Sequence, residues 1–218
     1  MKTITIKNSD EQIPIGKIIC VGRNYAEHAR ELGNEVPDYP ILFLKPASVF
    51  VASGSILIHP EYSQDLQHEI ELVLLIGEEI KDVSLEQAEQ AIAGYGAGLD
   101  MSLRDLQGEL IKKGHPWTLS KCFDTAGLLS EFVMKTDYRL TQQENIWLKV
   151  NGQLKQSSLL DKMIFSPAEL VKYIASKMTL EAGDLIMTGT PAGVSRVTQG
   201  DIIEGGITSL VELKAKVI

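Results

Sequence analysis

The sequence of 218 residues lacks several features that mark specialised classes of protein. Two cysteines, Cys20 and Cys122, are too few for a disulfide framework. The apolar runs are far shorter than the roughly 20 residues of a membrane span, and the first residues lack the apolar region of a signal peptide. No basic run is present, and the net charge of −8 argues against a nucleic-acid surface. We therefore expect a cytoplasmic protein that has neither a nucleic-acid nor a membrane partner.

Apolar residues make up 44% of the chain and charged residues 23%, which is typical of a folded globular protein. No internal repeat, low-complexity tract or long linker divides the chain, so we expect a single domain over residues 1–218. Short strands dominate the predicted elements, and the helices are few and short. These patterns predict an α+β fold with a mixed, strand-rich core, in which Cys20 is a buried thiol.

Capping signals predict where the helices begin and end. Asn24 is a candidate N-cap for a short helix that ends at Gly33, with Glu27 in the capping-box position. Ser84 and Gln87 predict a second helix, reaching to about Gly94. The segment 166–169, Ser-Pro-Ala-Glu, combines a cap, a proline at the first position and an acid, and predicts a helix to about residue 177. Asn-Gly at 151–152 predicts a hairpin turn.

Two glutamates stand one residue apart at the start of an apolar run, in the segment His-Glu-Ile-Glu-Leu-Val-Leu-Leu-Ile at 68–76. Residues two apart in a strand point to the same face, so Glu69 and Glu71 direct two carboxylates to one place. Such a pair is unfavourable beside a buried strand unless a cation compensates it, and oxygen ligands suit Mg²⁺. Asp100, after a strand of small residues, is a candidate third ligand. The alternative is a set of solvated acids at strand ends and turns.

Other polar side chains could take part in the chemistry of a substrate. His28 and Glu31 are three residues apart on the first helix, where a carboxylate can orient an imidazole as a base; a surface ion pair is the alternative. Arg104 and Gln107 share a helical face in the same way. Lys121 lies among apolar and aromatic residues, a setting more often typical of a surface lysine than of a catalytic one. The loop at 189–193, Gly-Thr-Pro-Ala-Gly, is either a plain turn or a source of backbone N–H donors.

Together these segments resemble the fumarylacetoacetate hydrolase family, and most closely its small single-domain branch of acylpyruvate hydrolases and oxaloacetate-processing enzymes. The resemblance covers the chain from about residue 16 to the end. The segments that carry it are GRNY at 22–25 followed by His28 and Glu31, FLKP at 43–46, HEIEL at 68–72, LDMSLRDLQ at 99–107, KG at 113–114, PWTLSK at 116–121, WLKVNG at 147–152, MIFS at 163–166 and LIMTGTP at 185–191.

The resemblance implies a role for each of these positions. The family's metal ligands correspond to Glu69, Glu71 and Asp100, which would bind Mg²⁺ or Mn²⁺. Its water-activating pair on a lid helix corresponds to His28 and Glu31. The positions that contact the substrate or the metal shell correspond to Lys121, Arg104, Gln107 and Thr190, and the residues expected to line the pocket are Arg23, Tyr25 and Lys45.

The resemblance also implies a strand-rich mixed β roll, a homodimer and a small keto-acid substrate. The expected reaction is metal-dependent cleavage of a carbon–carbon bond in an acylpyruvate, which gives pyruvate and a carboxylic acid. The alternatives that use the same metal site are oxaloacetate decarboxylation, oxaloacetate keto–enol tautomerisation and isomerisation of an unsaturated keto acid. A keto-acid binding protein without catalytic activity is a further possibility. His115 departs from the apolar residue expected there, and is either a tolerated loop substitution or a modifier of substrate preference.

Overall fold

A computed structural model describes residues 1–218, and strands dominate it. There are seventeen strands: β1 (Thr3–Thr5), β2 (Gln12–Pro14), β3 (Ile18–Gly22), β4 (Ile41–Lys45), β5 (Phe50–Ala52), β6 (Ile56–Leu57), β7 (Leu66–Gln67), β8 (Ile70–Ile76), β9 (Ile92–Asp100), β10 (Ser102–Leu103), β11 (Gly127–Leu129), β12 (Val133–Met134), β13 (Asn145–Val150), β14 (Gln153–Leu159), β15 (Leu185–Met187), β16 (Ile202–Ile207) and β17 (Val211–Val217).

The α-helices are five in number and short, and two 3₁₀ turns accompany them. The helices are α1 (Ala26–Glu31), α2 (Leu85–Gln90), α3 (Arg104–Lys112), α4 (Thr118–Lys121) and α5 (Pro167–Lys177), and the turns are Ala47–Val49 and Leu160–Lys162. The predicted α+β fold with few short helices is confirmed. No helix combines the length and the apolar character that crossing a membrane requires.

Two large sheets form the framework of the molecule. The larger has eight strands, in the order β4-β3-β15-β8-β9-β11-β5, with β12 added beside β9. The second has five, in the order β14-β13-β16-β17-β6. Strands β4 and β5 lie at opposite edges of the larger sheet, yet only residues 46–49 separate them in the chain. The larger sheet therefore curls, and its interior holds part of a core of 53 buried apolar residues.

Strands β8 and β9 form the centre of the larger sheet. All seven residues of β8 are buried, as the continuous apolar run predicted. Strand β9 contains small residues because its neighbours approach closely: a Cβ at Gly96 would lie 2.8 Å from the ring of Phe132. The strand was predicted to be short and to end before Asp100, but it has nine residues and Asp100 is its last.

Most of the local signals placed the helices correctly. Ser84 and Ser166 both form complete capping boxes, and α5 ends at Lys177 as predicted. Helix α2 is shorter than expected, because it ends at Gln90 and Gly94 belongs to β9. Asn151 and Gly152 connect β13 and β14, as predicted. Cys20 is fully buried and unpaired, in agreement with a core thiol.

Candidate metal centre and active site

The register of the central strands brings together the three carboxylates singled out in the sequence. Ile70 on β8 stands opposite Leu99 on β9, so the residues beside them, Glu69 and Asp100, are neighbours. The backbone N–H of Asp100 donates to the Glu69 carbonyl at 2.9 Å. Glu71 lies on the same face as Glu69, and ligand oxygens of all three residues lie within 4.8 Å of one another. All three residues are buried.

Three cations lie against these acids. Lys121 Nζ donates to Glu69 Oε2 at 2.7 Å and to Asp100 Oδ2 at 2.8 Å. Arg104 forms an ion pair with Glu69, and the fully buried Lys45 forms one with Asp100. Glu71 has no cation partner, and its Oε2 accepts only the backbone N–H of Gly189, at 2.8 Å. By count, the three cations balance the three acids before any metal ion is considered.

This arrangement shifts the pKa values of the acids in opposite directions. Burial by itself raises the pKa of Glu69, but the charges of Lys121 and Arg104 outweigh it and hold that pKa well below its usual range. Burial and the charges of Asp100 and Glu69 all act together on Glu71, so its pKa lies well above its usual range. Burial lowers the pKa of Lys121, yet Asp100 and Glu69 raise it above the ordinary value.

The donor set fits a hard divalent cation. Carboxylate oxygens are the ligands that Mg²⁺ and Mn²⁺ prefer, and three of them converge on one buried point. The environment of Glu71 also indicates a bound cation, because Glu71 is a buried carboxylate with like charges beside it and no positive partner. A divalent ion held by Glu69, Glu71 and Asp100 would relieve this repulsion.

Helix α1 places the predicted acid–base pair over the same region. His28 is 4% exposed, and its Nδ1 lies 3.2 Å from Glu31 Oε2. Because a carboxylate accepts this hydrogen bond, Nδ1 carries the proton and Nε2 is left as the basic nitrogen. The Glu31 carboxylate also accepts the backbone N–H of Gly193, at 3.1 and 3.2 Å from its two oxygens. Glu31 therefore links the histidine to the loop at 189–193.

The predicted cap of this helix proved wrong. Tyr25 occupies the N-cap position and makes no side-chain capping bond. Asn24 is fully buried and joins two other segments instead: its Nδ2 donates to the carbonyls of Thr188 and Phe165, and its Oδ1 accepts the Phe165 N–H at 2.8 Å. The residue type suited a cap, but the long-range partners use all of its hydrogen-bonding capacity except one lone pair.

One cavity contains most of the predicted site residues. It is lined by Arg23, His28, Glu69, Glu71, Asp100, Arg104, Gln107, Lys121 and Thr190, together with Val21, Gly22, Leu32, Asn34, Phe43, Ile111 and Trp117. Arg104 donates from Nη1 to Gln107 Oε1 at 2.6 Å, which leaves the Gln107 NH₂ group free for a ligand. Lys121 uses two of its three N–H bonds on the acids and has one left. Arg23 has a left-handed backbone (φ 61°) and forms no ion pair.

Two residues expected to line the pocket do not line this cavity. Lys45 is enclosed behind Asp100, and its remaining donors go to the carbonyls of Met101 at 3.1 Å and Ala126 at 2.6 Å. It therefore serves as a charge partner of Asp100 with no donor left for a substrate. Tyr25 is 2% exposed beneath α1, and its hydroxyl has no partner. His115 is exposed and lines an adjoining groove, which shares Phe43, Trp117 and Lys121 with the cavity.

A buried polar network behind the cavity was not predicted from the sequence. His68 and Gln156 are both fully buried, and His68 Nδ1 lies 2.9 Å from Gln156 Oε1. Gln156 Nε2 donates to Thr190 Oγ1 at 2.8 Å. Burial is the main cause that lowers the pKa of His68, which favours its neutral form. One weak signal for this network was present, a histidine directly before the paired glutamates, and none pointed to Gln156.

The model of the family described as fumarylacetoacetate (FAA) hydrolase C-terminal matches residues 17–218. The chain belongs to the fumarylacetoacetate hydrolase family. Two curated members are similar over most of their length. The mitochondrial oxaloacetate tautomerase FAHD1 of Bos taurus is 44% identical over 92% of this chain and 90% of its own. The mitochondrial oxaloacetate decarboxylase of Dictyostelium discoideum is 46% identical over 89% of each.

Among solved structures of the fumarylacetoacetate hydrolase family, the fumarylpyruvate hydrolase of Pseudomonas aeruginosa, in complex with Mn²⁺ and pyruvate, superposes with a TM-score of 0.96. It is 39% identical, and the match covers 100% of this chain and 95% of that one. The predicted family resemblance and its strand-rich roll are confirmed. The family consists of enzymes, and both the acidic triad and this neighbouring structure indicate a divalent metal ion.

Proposed function

We propose that this protein is a divalent-metal-dependent hydrolase that cleaves acylpyruvates into pyruvate and a carboxylic acid. The observation that carries the proposal is the position of His28, which is hydrogen-bonded to Glu31 and lines the same cavity as the acidic triad. Hydrolysis needs a base that removes a proton from water, whereas a site that only binds a metal ion needs no base. The ion held by Glu69, Glu71 and Asp100, as Mg²⁺ or Mn²⁺, would supply Lewis acidity and a template for the keto acid.

His28 supplies the base in this scheme. Glu31 accepts the Nδ1 proton and keeps the ring in the tautomer whose Nε2 is basic. His28 removes a proton from water, and the hydroxide oxygen adds to the distal carbonyl carbon. The bond between that carbon and the next then breaks, and its electron pair passes to the pyruvate enolate. The proton on His28 returns to the enolate carbon, so that pyruvate and the acid are the products.

Lys121 and Gln107 have donors for the pyruvate half. The third N–H of Lys121 and the NH₂ group of Gln107 are not used by the protein, and both residues line the cavity. Lys121 therefore stabilises the enolate oxygen, where negative charge grows during cleavage. Such donors, fixed in place before the reaction, are usually the largest contribution to catalysis. Arg104 acts by holding the Gln107 amide and the Glu69 carboxylate in position.

The charge of the site supports a substrate with two carboxylates. Lys45, Arg104 and Lys121 already balance Glu69, Glu71 and Asp100, so a divalent ion brings an excess of two positive charges. Arg23 adds another at the cavity wall. A dianionic acylpyruvate should therefore bind better than acetylpyruvate, which carries a single carboxylate.

The same charge count favours a second candidate, oxaloacetate, which is also a dianionic keto acid. Loss of carbon dioxide from it would give the same pyruvate enolate, and proton exchange at carbon would interconvert its keto and enol forms. The similarity to an oxaloacetate tautomerase and an oxaloacetate decarboxylase supports this alternative. Neither reaction requires water to attack a carbonyl, so the role of His28 separates them from hydrolysis.

The deciding experiment measures pyruvate release from fumarylpyruvate, acetylpyruvate and oxaloacetate, with Mn²⁺ or Mg²⁺ and again after chelation. Glu69→Ala should abolish every activity, while His28→Ala should reduce hydrolysis by about 10²- to 10⁴-fold. Glu79→Gln, at an exposed acid outside the cavity, is the control and should retain wild-type rates. Full hydrolysis by the His28→Ala protein, or by metal-free protein, would contradict the assignment.

We also propose that the protein is a cytoplasmic homodimer. Strand β4 is an edge of the larger sheet, and it presents the exposed Leu44 beside a groove lined by Ile41, Phe43 and Trp117. An unpaired apolar edge of this kind is unfavourable in water and is suited to a second copy. Light scattering should give about twice the chain mass of 24.0 kDa, and a single-chain mass would contradict the dimer. Cell fractionation tests the location.

A further inference from the structure

Gln156 is a buried amide whose hydrogen-bonding capacity is completely used. Its Oε1 accepts from His68 Nδ1 at 2.9 Å and from the Ile70 N–H at 3.2 Å. Its Nε2 donates to Thr190 Oγ1 at 2.8 Å and to the Pro191 carbonyl at 2.7 Å. Two lone pairs and two N–H bonds are all that an amide has. Because the Ile70 N–H can only donate, the amide has one possible orientation.

This network determines what Thr190 can offer to a ligand. The Thr190 hydroxyl donates its hydrogen to the Ile70 carbonyl at 2.8 Å and accepts from Gln156. The hydroxyl has no hydrogen left for an anion. The backbone N–H of Thr190, by contrast, has no acceptor among the hydrogen bonds of the structure, although the residue is 3% exposed and lines the cavity. An unsatisfied buried N–H is uncommon and unfavourable.

We propose that Gln156, held by His68, is a positioning residue that presents the Thr190 backbone N–H to the carboxylate of the keto acid. Few bonds connect Gln156 to the Thr190 N–H. Gln156 fixes the Thr190 side chain and the next carbonyl, and the preceding N–H, of Gly189, holds Glu71. The loop is thus fastened on both sides of the free Thr190 N–H. This inference rests on the proposed function only in taking a pyruvate-like group as the ligand.

The test measures ligand binding without turnover, so its result does not depend on which reaction the enzyme catalyses. Titration calorimetry would give the dissociation constants of Mg²⁺ and then of pyruvate on the Mg²⁺-loaded protein. Gln156→Leu should weaken pyruvate binding by about tenfold or more, the scale of one hydrogen bond to a charged group. Its Mg²⁺ dissociation constant should stay within about twofold of the wild-type value, since Gln156 forms no hydrogen bond with a metal ligand.

Ser195→Ala is the matched control. Ser195 Oγ contacts the other nitrogen of His68, at 2.9 Å, and has no bond to Gln156. This variant removes a partly buried bond from the same network but leaves the amide in place, so its pyruvate affinity should match the wild type. Unchanged pyruvate affinity in Gln156→Leu would overturn the proposal. A parallel loss of Mg²⁺ affinity would also overturn it, because Gln156 would then support the strand of metal ligands and not Thr190.

A spectroscopic readout keeps the proposal testable even if Gln156→Leu does not fold. In wild-type protein labelled with ¹⁵N-threonine and loaded with diamagnetic Mg²⁺, the Thr190 amide signal is identified by its absence from Thr190→Val. Pyruvate should move this amide proton downfield, as a new hydrogen bond to a carboxylate does. A Thr190 amide signal that does not respond to saturating pyruvate would refute the assignment of the N–H as the donor.

Discussion

Glu71→Gln should stabilise the metal-free protein, although it removes a predicted metal ligand. Glu71 is buried within 4.8 Å of two other carboxylates, and at an effective dielectric of about 20 each would repel it by about 3.5 kcal/mol at that distance. Lys121 offsets part of this repulsion. Glutamine keeps an oxygen that can accept the Gly189 N–H and removes the charge. We expect a net gain of about 1–3 kcal/mol in the free energy of unfolding at pH 7.

Thermal unfolding in the presence of a chelator measures the stability of the metal-free protein, and unfolding with Mn²⁺ measures how much the bound ion adds. A gain of about 1–3 kcal/mol corresponds to a rise in Tm of roughly 2 to 12 °C for a chain of this size. Mn²⁺ at about 100 times its Kd should stabilise the wild type by about 2.7 kcal/mol and the variant far less. Glu79→Gln, at an exposed acid, is the control and should change stability by less than about 0.5 kcal/mol.

The direction of the Glu71 pKa shift determines how the stability difference between the wild type and Glu71→Gln changes with pH. The pKa of Glu71 is raised above its ordinary value of 4.5 in the folded protein, so the folded state binds more protons than the unfolded state above pH 4.5. The stability deficit of the wild type relative to Glu71→Gln should therefore shrink as the pH falls from 8 towards 5, without metal. A metal-free Glu71→Gln protein that is more than about 1 kcal/mol less stable than the wild type at pH 7 would refute the reasoning.

Two further substitutions test the supports of the site. Lys45→Met leaves Asp100 with a single cation and leaves the buried Met101 carbonyl without a donor, so urea unfolding should show a loss of about 3–5 kcal/mol. A loss below about 1 kcal/mol would contradict the buried role of Lys45. Gly193→Ala would place a Cβ 2.0 Å from the Lys155 carbonyl, displace the N–H that binds Glu31, and lower kcat by about tenfold to a hundredfold. Gly200→Ala is the control, because Gly200 has a similar backbone angle (φ +97° against +99°) but open space around it. A similar loss of kcat in Gly200→Ala would show that the clash with Lys155 is not the cause of the loss in Gly193→Ala.

The parts of the site that follow from local patterns could be predicted from the sequence. The spacing of Glu69 and Glu71 determines that they share a face, and the apolar run after them indicates a buried strand. The third acid is different, because Asp100 reaches them only through the antiparallel register that sets Ile70 opposite Leu99. No local pattern contains that register, so the residues alone made Asp100 only a candidate ligand, and the family resemblance was needed to group it with the two glutamates.

Long-range contacts explain the residues that were misjudged. Lys45 was expected at the pocket through the family resemblance, yet it is fully buried and forms an ion pair with Asp100. Asn24 has the side chain of a helix cap, but its partners are 141 and 164 residues away in sequence. In both cases the tertiary partners outweigh the local preference of the residue, and the partners are what the sequence does not show.

Gln156 was missed for a more specific reason, because strand β14 breaks the alternation on which sequence patterns rely. In a regular strand Leu154 and Gln156 would point to the same face, and the apolar residue would mark that face as the buried one. The register shifts between Leu148 and Lys149 on β13, so Lys155 is an extra residue on β14. Leu154 is consequently 58% exposed, while Gln156 is fully buried beside Thr190. The carbonyl of the same extra residue lies where a side chain at Gly193 would be. A single bulge thus places the amide behind Thr190 and requires glycine at the contact that holds Glu31.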